Sequence, residues 1–535
     1  MTRTEASELI APELRRWAVD SIARVHRRHA RVRLGGRRVV APAPARRPDR
    51  RLCLVHLDGV PIQLLEEAVE TGAMPFLSRL VRSGAYHLDS AFWGSPASTP
   101  AFQAGVLFGL RHANLPAYTW FDRELGREVR MNNPRDALLI EQRLEAMAGG
   151  SSLVDGGGTV YLSLFRAGAV NLSSMSSLAD MPAVWRSLPS CLHDLRDASR
   201  QTLRKYAACV VRDLAETAVD VWRWVKRVKD WRHEREYMLN RLFLVSLGWG
   251  VSHSRAMIDM ARGVPAIYLA YGNYDEVAHR RGPFSQQARA ELHRVDRYLE
   301  TLYAVGRSVE TPYDLYLMAD HGHVDSVPVE KRRGRRLRCL LLEGPPAAEL
   351  GEDIRGGLLD GRGARPAEER QEVEPVVIEA GNFSHVYLAR RREPLEAMEL
   401  LARFPDVLAR AARCPDIGIV MVRRGDSAVA IVQGGVYGPD EVERAPLASE
   451  FSKRAVADML RELPHMKTAG DLVLYGEALT ATGTVGFAWE WGSHGGLTRI
   501  ETDSALLWPA DGPVDLSGLS HCAELHRRLA GAYRS

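Results

Sequence analysis

Residues 51–59 read Arg51-Leu52-Cys53-Leu54-Val55-His56-Leu57-Asp58-Gly59, a short apolar run that ends in an acid and a glycine. Such a run reads as a strand buried on both faces, as in parallel sheets, with a polar group at its C-terminal end. The pattern recurs. Ala266-Ile267-Tyr268-Leu269-Ala270 precedes Asp275, and Asp314-Leu315-Tyr316-Leu317-Met318-Ala319 runs into Asp320 and His321. Strands that each deliver an acid predict the α/β class: a central, mostly parallel sheet flanked by helices, with its site at the carboxyl edge.

The rest of the chain is read outward from that sheet. Its 535 residues are 46% hydrophobic and 26% charged, which excludes a disordered or fibrous chain. A net charge of +4 is too small to make nucleic acid the expected partner. Six cysteines without a CxxC pair argue against a disulfide framework and a thiolate zinc site. Residues 1–50 form a basic arm, with Leu9, Ile10, Leu14, Trp17, Ala18, Ile22 and Val25 at helical spacing beside an arginine face; Ala41-Pro42-Ala43-Pro44-Ala45 then reads as a linker. Two readings fit that helix: it lies on an anionic membrane surface, or it docks on its own protein with solvated arginines. Residues 51–150 and 263–535 are expected to form the two parts of the α/β core, with a loop-rich excursion near 330–375. Residues 151–262 read as a mainly helical insertion, in which Trp222, Trp224 and Trp231 alternate with Arg223, Lys226 and Arg227. The N-terminal acids Glu5, Glu8 and Glu13 do not suit a secretory signal, and the longest apolar run, 242–251, is shorter than the ~20 residues a spanning helix needs. A cytoplasmic chain is expected, with peripheral contact at the inner membrane face as the membrane reading of the arm.

Chemistry is carried by Asp58, Asp275 with His279, Asp320 with His321, and His494 in Trp491-Gly492-Ser493-His494-Gly495-Gly496. Asp275 and His279 are four apart, so on one helical turn they can share an ion. Asp320 and His321 leave a strand end together. Carboxylate and imidazole without thiolate suit zinc or manganese in an open catalytic site, and six such ligands can fill two sites. Thr99, in Ser95-Pro96-Ala97-Ser98-Thr99-Pro100 before an apolar segment, offers a hydroxyl at a helix N-terminus, where backbone donors favour an attacking alkoxide. The ordinary alternative for Thr99 is helix capping.

Taken in order, these motifs resemble the alkaline phosphatase superfamily and, within it, the type I phosphodiesterase/nucleotide pyrophosphatase branch. Leu54-Val55-His56-Leu57-Asp58-Gly59 is similar to its first metal strand, and Pro96-Ala97-Ser98-Thr99-Pro100 with Phe108-Gly109-Leu110 to its nucleophile segment. Tyr274-Asp275-Glu276-Val277-Ala278-His279, Ala319-Asp320-His321-Gly322 and Gly492-Ser493-His494-Gly495 resemble its remaining ligand motifs. The resemblance covers residues 51–150 and 263–509 and implies an alkaline-phosphatase-like fold. It implies that Asp275, His279 and His494 hold one zinc while Asp58, Asp320, His321 and Thr99 hold the other. It also implies hydrolysis of phosphodiester or pyrophosphate bonds of a small-molecule phosphate ester through a phospho-threonine; a lipid-linked ester is the expected substrate if the arm and the tryptophan-rich insertion meet a membrane. A phosphomonoesterase or a phosphoryl or head-group transferase would use the same ligands; a non-catalytic, membrane-associated binding protein is the rival of another class. Gly381-Asn382-Phe383-Ser384-His385 and Ile417-Gly418-Ile419-Val420 resemble a bacterial subset, in which His385 is expected to be structural. Where nucleotide-processing relatives carry an Asn after the nucleophile helix, Tyr118 stands here, a departure that weighs against a nucleotide substrate. No CxPxR segment of the sulfatase type is present.

Overall fold

The structure, a computed structural model, describes residues 10–32, 49–186, 248–343, 375–389 and 391–534, with isolated positions between 211 and 238. Arg51–Leu57 pairs in parallel with Tyr313–Ala319 on one side and Ala266–Tyr271 on the other. Thr159–Tyr161 adds a further parallel strand beyond Ala266–Tyr271, and Asp503–Pro509 and Tyr86–Phe92 complete six strands by antiparallel pairing beyond Tyr313–Ala319. Both faces are covered, as the uninterrupted apolar runs require. Cys53, Val55 and Leu57 face a core shared with helices Ile62–Thr71, Pro75–Arg82, Trp249–Arg262 and Gln286–Ser308. Leu52 and Leu54 face the opposite core, built with helices Thr99–Phe108, Pro134–Met147 and Cys522–Tyr533.

Register decides where the acids emerge. Leu57 lies opposite both Ala319 and Tyr271, so Asp58, Asp320 and the segment leading to Asp275 leave the sheet at one level of one edge. Candidate ligands more than two hundred residues apart in the chain are thereby brought together at the carboxyl ends of parallel strands.

The stretch 151–262 contributes more to the core than its composition suggests. Thr159-Val160-Tyr161 follows three glycines and is too short for its periodicity to mark it as a strand, yet it belongs to the central sheet. Trp249–Arg262, at the other end of the stretch, packs against Ala266–Tyr271 and Gln286–Ser308. Trp224, Trp231 and the arginines around them lie outside the described residues, while Trp222 is exposed. Most of the expected excursion, 344–374, is likewise outside them.

A second sheet was not legible in the sequence. Six antiparallel strands run in the order Gly435–Tyr437, Ser427–Val432, Ile417–Arg424, Leu472–Gly476, Phe383–Tyr387 and Val376–Ala380. The apolar runs of the four inner strands are largely buried on both faces and therefore look like parallel strands; only the pairing distinguishes them. A smaller sheet joins Val324–Pro328 to Gly483–Gly486 and to Gly492–Ser493. Helix Pro12–Val32 buries Ala18, Ile22 and Val25 against the chain itself, with Trp17 packed beside them, and His26 Nε2 donates to Ala261 O at 2.7 Å. Its apolar stripe is thus occupied, while Arg15 and Arg16 are exposed. Among the described residues no helix is long and apolar enough to cross a membrane.

Candidate metal centre

Each expected site residue reaches one cleft by a different local device. Asp58 ends the first strand, and Gly59 follows with φ of 75°, a conformation that favours glycine. The turn aims the Gly59 N–H at Asp320 Oδ1, 3.0 Å away. Asp275 and His279 lie four apart on helix Asn273–Arg281, with Asp275 in the first turn. His494 follows Gly492–Ser493, which pairs antiparallel with Val324–Pro328. Thr99 is the first residue of its helix. The capping position is Ser98, so the hydroxyl of Thr99 is not spent on a cap.

The side chains converge in two groups. Asp275 Oδ1 lies 3.5 Å from His279 Nε2, 3.4 Å from His323 Nε2 and 3.7 Å from His494 Nε2. Beside them, Thr99 Oγ1 donates to Asp58 Oδ1 at 3.4 Å and lies 3.4 Å from His321 Nε2. His321 Nε2 is 3.7 Å from Asp58 Oδ1 and 3.2 Å from Asp320 Oδ2. The imidazoles of His321 and His494 stack between the groups with centroids 3.8 Å apart. Asp275 Oδ1 and Asp320 Oδ2 are buried and make no hydrogen bond, which is what ligand atoms look like without their ion. The donor set, carboxylate and imidazole at these spacings, fits divalent metal.

A second layer aims the ligands. Asp320 Oδ1 accepts from the N–H groups of Gly59 and His321, both at 3.0 Å, and lies 3.1 Å from His56 Nε2, leaving Oδ2 to face His321. Tyr268 Oη lies 2.9 Å from His56 Nδ1. His279 turns its Nδ1 to Glu490 Oε2 at 3.0 Å and Gly492 O at 3.1 Å, so Nε2 points inward.

The electrostatics describe a hole for positive charge. Burial, with Asp320 and Asp275 nearby, raises the Asp58 carboxyl well above its ordinary range. Burial also lifts Asp275, to about 7, with His279 opposing and Asp320 adding to the rise. At Asp320 burial acts upward too, but His321, His56 and the Gly59 N–H outweigh it and hold the carboxyl below its usual range. Burial would lower His279, yet Glu490 and Asp275 bring it up to about 10. Burial and the other imidazoles hold His323 and His494 well below the ordinary value. Repulsion among buried acids is relieved by a cation; the neutral rings of His323 and His494 are ready to bind one, and at His279 a cation would replace the proton.

All seven expected residues are brought together. Sequence reasoning missed His56, Tyr268, His323 and Glu490. A histidine inside an otherwise apolar strand was the available signal for His56, and the His321-Gly322-His323 spacing was the signal for His323. Tyr118 sits near the same carboxylates.

His385 stays out of the cleft. Its Nε2 donates to Pro116 O at 3.2 Å and its Nδ1 accepts from the Gly470 N–H at 3.2 Å. Protonation would set two N–H groups against each other, and burial pushes the ring down to about 4 from an ordinary 6.5. The folded pKa is depressed, so the unfolded chain binds more protons below 6.5, and stability is lost as pH falls from there toward 4. At pH 5 the expected cost is about 2 kcal/mol. Urea melts at pH 7 and pH 5 check it: His385→Gln should reduce the wild-type fall by about that amount, and an unchanged fall would assign the pH dependence elsewhere.

Comparison with known proteins bears on what such a cleft does. No curated protein sequence matches the chain. Among solved structures, phosphonoacetate hydrolase from Sinorhizobium meliloti 1021 in complex with phosphonoformate shares 16% identity at a TM-score of 0.42, covering 93% of this chain and 100% of that one. Murine ectonucleotide pyrophosphatase/phosphodiesterase 5 shares 11% identity at a TM-score of 0.43, covering 91% and 95%. The assignment rests instead on the family match, which runs over residues 52–424, well over half of the chain, and includes every expected ligand except His494. By that match the protein belongs to the type I phosphodiesterase / nucleotide pyrophosphatase family and is a phosphoric ester hydrolase.

Proposed function

We propose that the protein cleaves phosphodiester or pyrophosphate bonds of a small-molecule or lipid-linked ester by two successive displacements, with Thr99 as the nucleophile. The observation that carries this reading is the Thr99 hydroxyl, free of capping duty and 3.4 Å from both Asp58 Oδ1 and His321 Nε2. Asp275, His279 and His494 would hold one divalent ion and Asp58, Asp320, His321 and Thr99 the other, zinc by preference or manganese. The ion beside Thr99, when bound, would neutralise phosphoryl oxygens and lower the pKa of the hydroxyl.

The residues themselves do the positioning. Asp58 takes the hydrogen bond of the Thr99 hydroxyl and so aims its lone pair away from the carboxylate. The helix N-terminus behind Thr99 favours negative charge at the attacked phosphate. Attack releases the Thr99 hydroxyl proton to solvent and forms the Thr99 Oγ1–phosphorus bond while the bond from phosphorus to the leaving oxygen breaks, and that oxygen takes up a proton from solvent. Water then attacks the phospho-threonine from the opposite side, the Thr99 Oγ1–phosphorus bond breaks, and the hydroxyl is regenerated. No side chain other than Thr99 changes its bonding.

The test compares bis-p-nitrophenyl phosphate with p-nitrophenyl phosphate in the presence of Zn²⁺ or Mn²⁺. Faster cleavage of the diester is expected. Faster cleavage of the monoester would move the assignment to a phosphatase.

A further inference from the structure

We infer that His323 is a fourth protein ligand of the ion held by Asp275, His279 and His494, which closes that site while the Thr99 site stays open to substrate. The inference rests on the two-ion reading above and adds to it a ligand the family motifs do not supply.

The geometry treats the three imidazoles alike. Centroids are 4.7 Å apart for His279 and His323, 4.8 Å for His323 and His494, and 5.0 Å for His279 and His494, a nearly equilateral arrangement. Asp275 Oδ1 is 3.4, 3.5 and 3.7 Å from the Nε2 atoms of His323, His279 and His494. An ion about 2.0–2.1 Å from four tetrahedral ligands holds them about 3.3–3.4 Å apart. His323 is the member nearest to that separation from Asp275.

The ring is also oriented as a ligand is. His323 is fully buried, its Nδ1 donates to Gly59 O at 3.2 Å, and its Nε2 faces the group with no hydrogen-bond partner. His279 is arranged in the same way, outward nitrogen on acceptors and inward nitrogen on the site. Gly59 makes room for this: a Cβ there would lie 2.6 Å from His323 Nδ1. Strand pairing supplies the fourth ligand, because Ser493 lies opposite Val324 and the next antiparallel step sets His494 beside His323.

Four protein ligands make a closed set of the kind that retains zinc, whereas three plus the Thr99 hydroxyl leave the other site exchangeable. The full chain, loaded with Zn²⁺ and mixed with a chromogenic chelator, should therefore release two equivalents in two phases, one fast and one slow. In His323→Met, which preserves volume, the slow phase should quicken by at least about 10-fold with the fast phase unchanged. X-ray absorption on Asp320→Asn, which is expected to hold one zinc, should count three imidazoles with His323 intact, so the inference does not depend on the variant at 323 folding. Two imidazoles, or a slow phase that His323→Met leaves alone, overturns the inference while the two-ion reading stands. A wild-type chain that takes up no divalent ion overturns both.

Discussion

Thr99→Ala should lower kcat on a diester at least about 10³-fold while the chain keeps two metal equivalents. In free-energy terms this is about 4 kcal/mol of lost transition-state stabilisation. The size follows from what the hydroxyl is asked to do: Thr99 Oγ1 lies 3.4 Å from both Asp58 Oδ1 and His321 Nε2, and alanine leaves no oxygen there. Metal should survive the substitution because Asp58, Asp320 and His321 remain. Steady-state kinetics with metal analysis on the same sample checks both halves, and Thr99→Ser should restore part of the rate. Activity of Thr99→Ala above a tenth of wild type would remove Thr99 from the nucleophile role. Helix capping gives no alternative account of a loss, since Ser98 holds the cap position and the Thr99 hydroxyl is bonded to Asp58 and His321 instead.

Asp320→Asn should cost the second ion. Asp320 divides its two oxygens between tasks: Oδ1 receives two backbone N–H groups and lies beside His56, and Oδ2 is buried without a partner, 3.2 Å from His321 Nε2. An amide keeps the shape but removes the charge and can turn an N–H₂ group toward the ion. Breaking a buried charge pairing of this kind costs about 3–5 kcal/mol, so affinity at that site should fall by about two to four orders of magnitude. Equilibrium dialysis with Zn²⁺ should then find one tight equivalent where the wild type holds two. Two tight equivalents in the variant would show that Asp320 serves the fold rather than the ion.

The parts of the fold that were legible in the sequence are those with a local signature. Apolar runs ending in Asp58, Asp320 and the Asp275 helix announced parallel strands and their carboxyl edge, because a strand buried on both faces leaves polar groups only at its ends. The donor chemistry was legible for the same reason, since residue type and order along the chain need no partner to be read. The antiparallel sheet around Leu472–Gly476 was not, because its inner runs have the same apolar composition as parallel strands and only the pairing tells the two apart. Thr159–Tyr161 escaped as well, three residues being too few to show a period. The helix at Pro12–Val32 was recognisable as amphipathic, but whether its apolar stripe met lipid or protein depended on the surface it lands on.

Residue order and local patterning thus specified an α/β chain with two sets of oxygen and nitrogen ligands and a hydroxyl placed before a helix. Tertiary structure decided which atoms of those ligands face one another and which unexpected side chains join them. Two registers do this: Leu57 opposite Ala319 and Tyr271 gathers Asp58, Asp320 and the Asp275 helix, and Ser493 opposite Val324 brings His494 beside His323. Pairing between distant strands is set by the burial of whole sheets rather than by any neighbour in sequence, so His56 and His323 acquire their positions at the site only once the chain has folded.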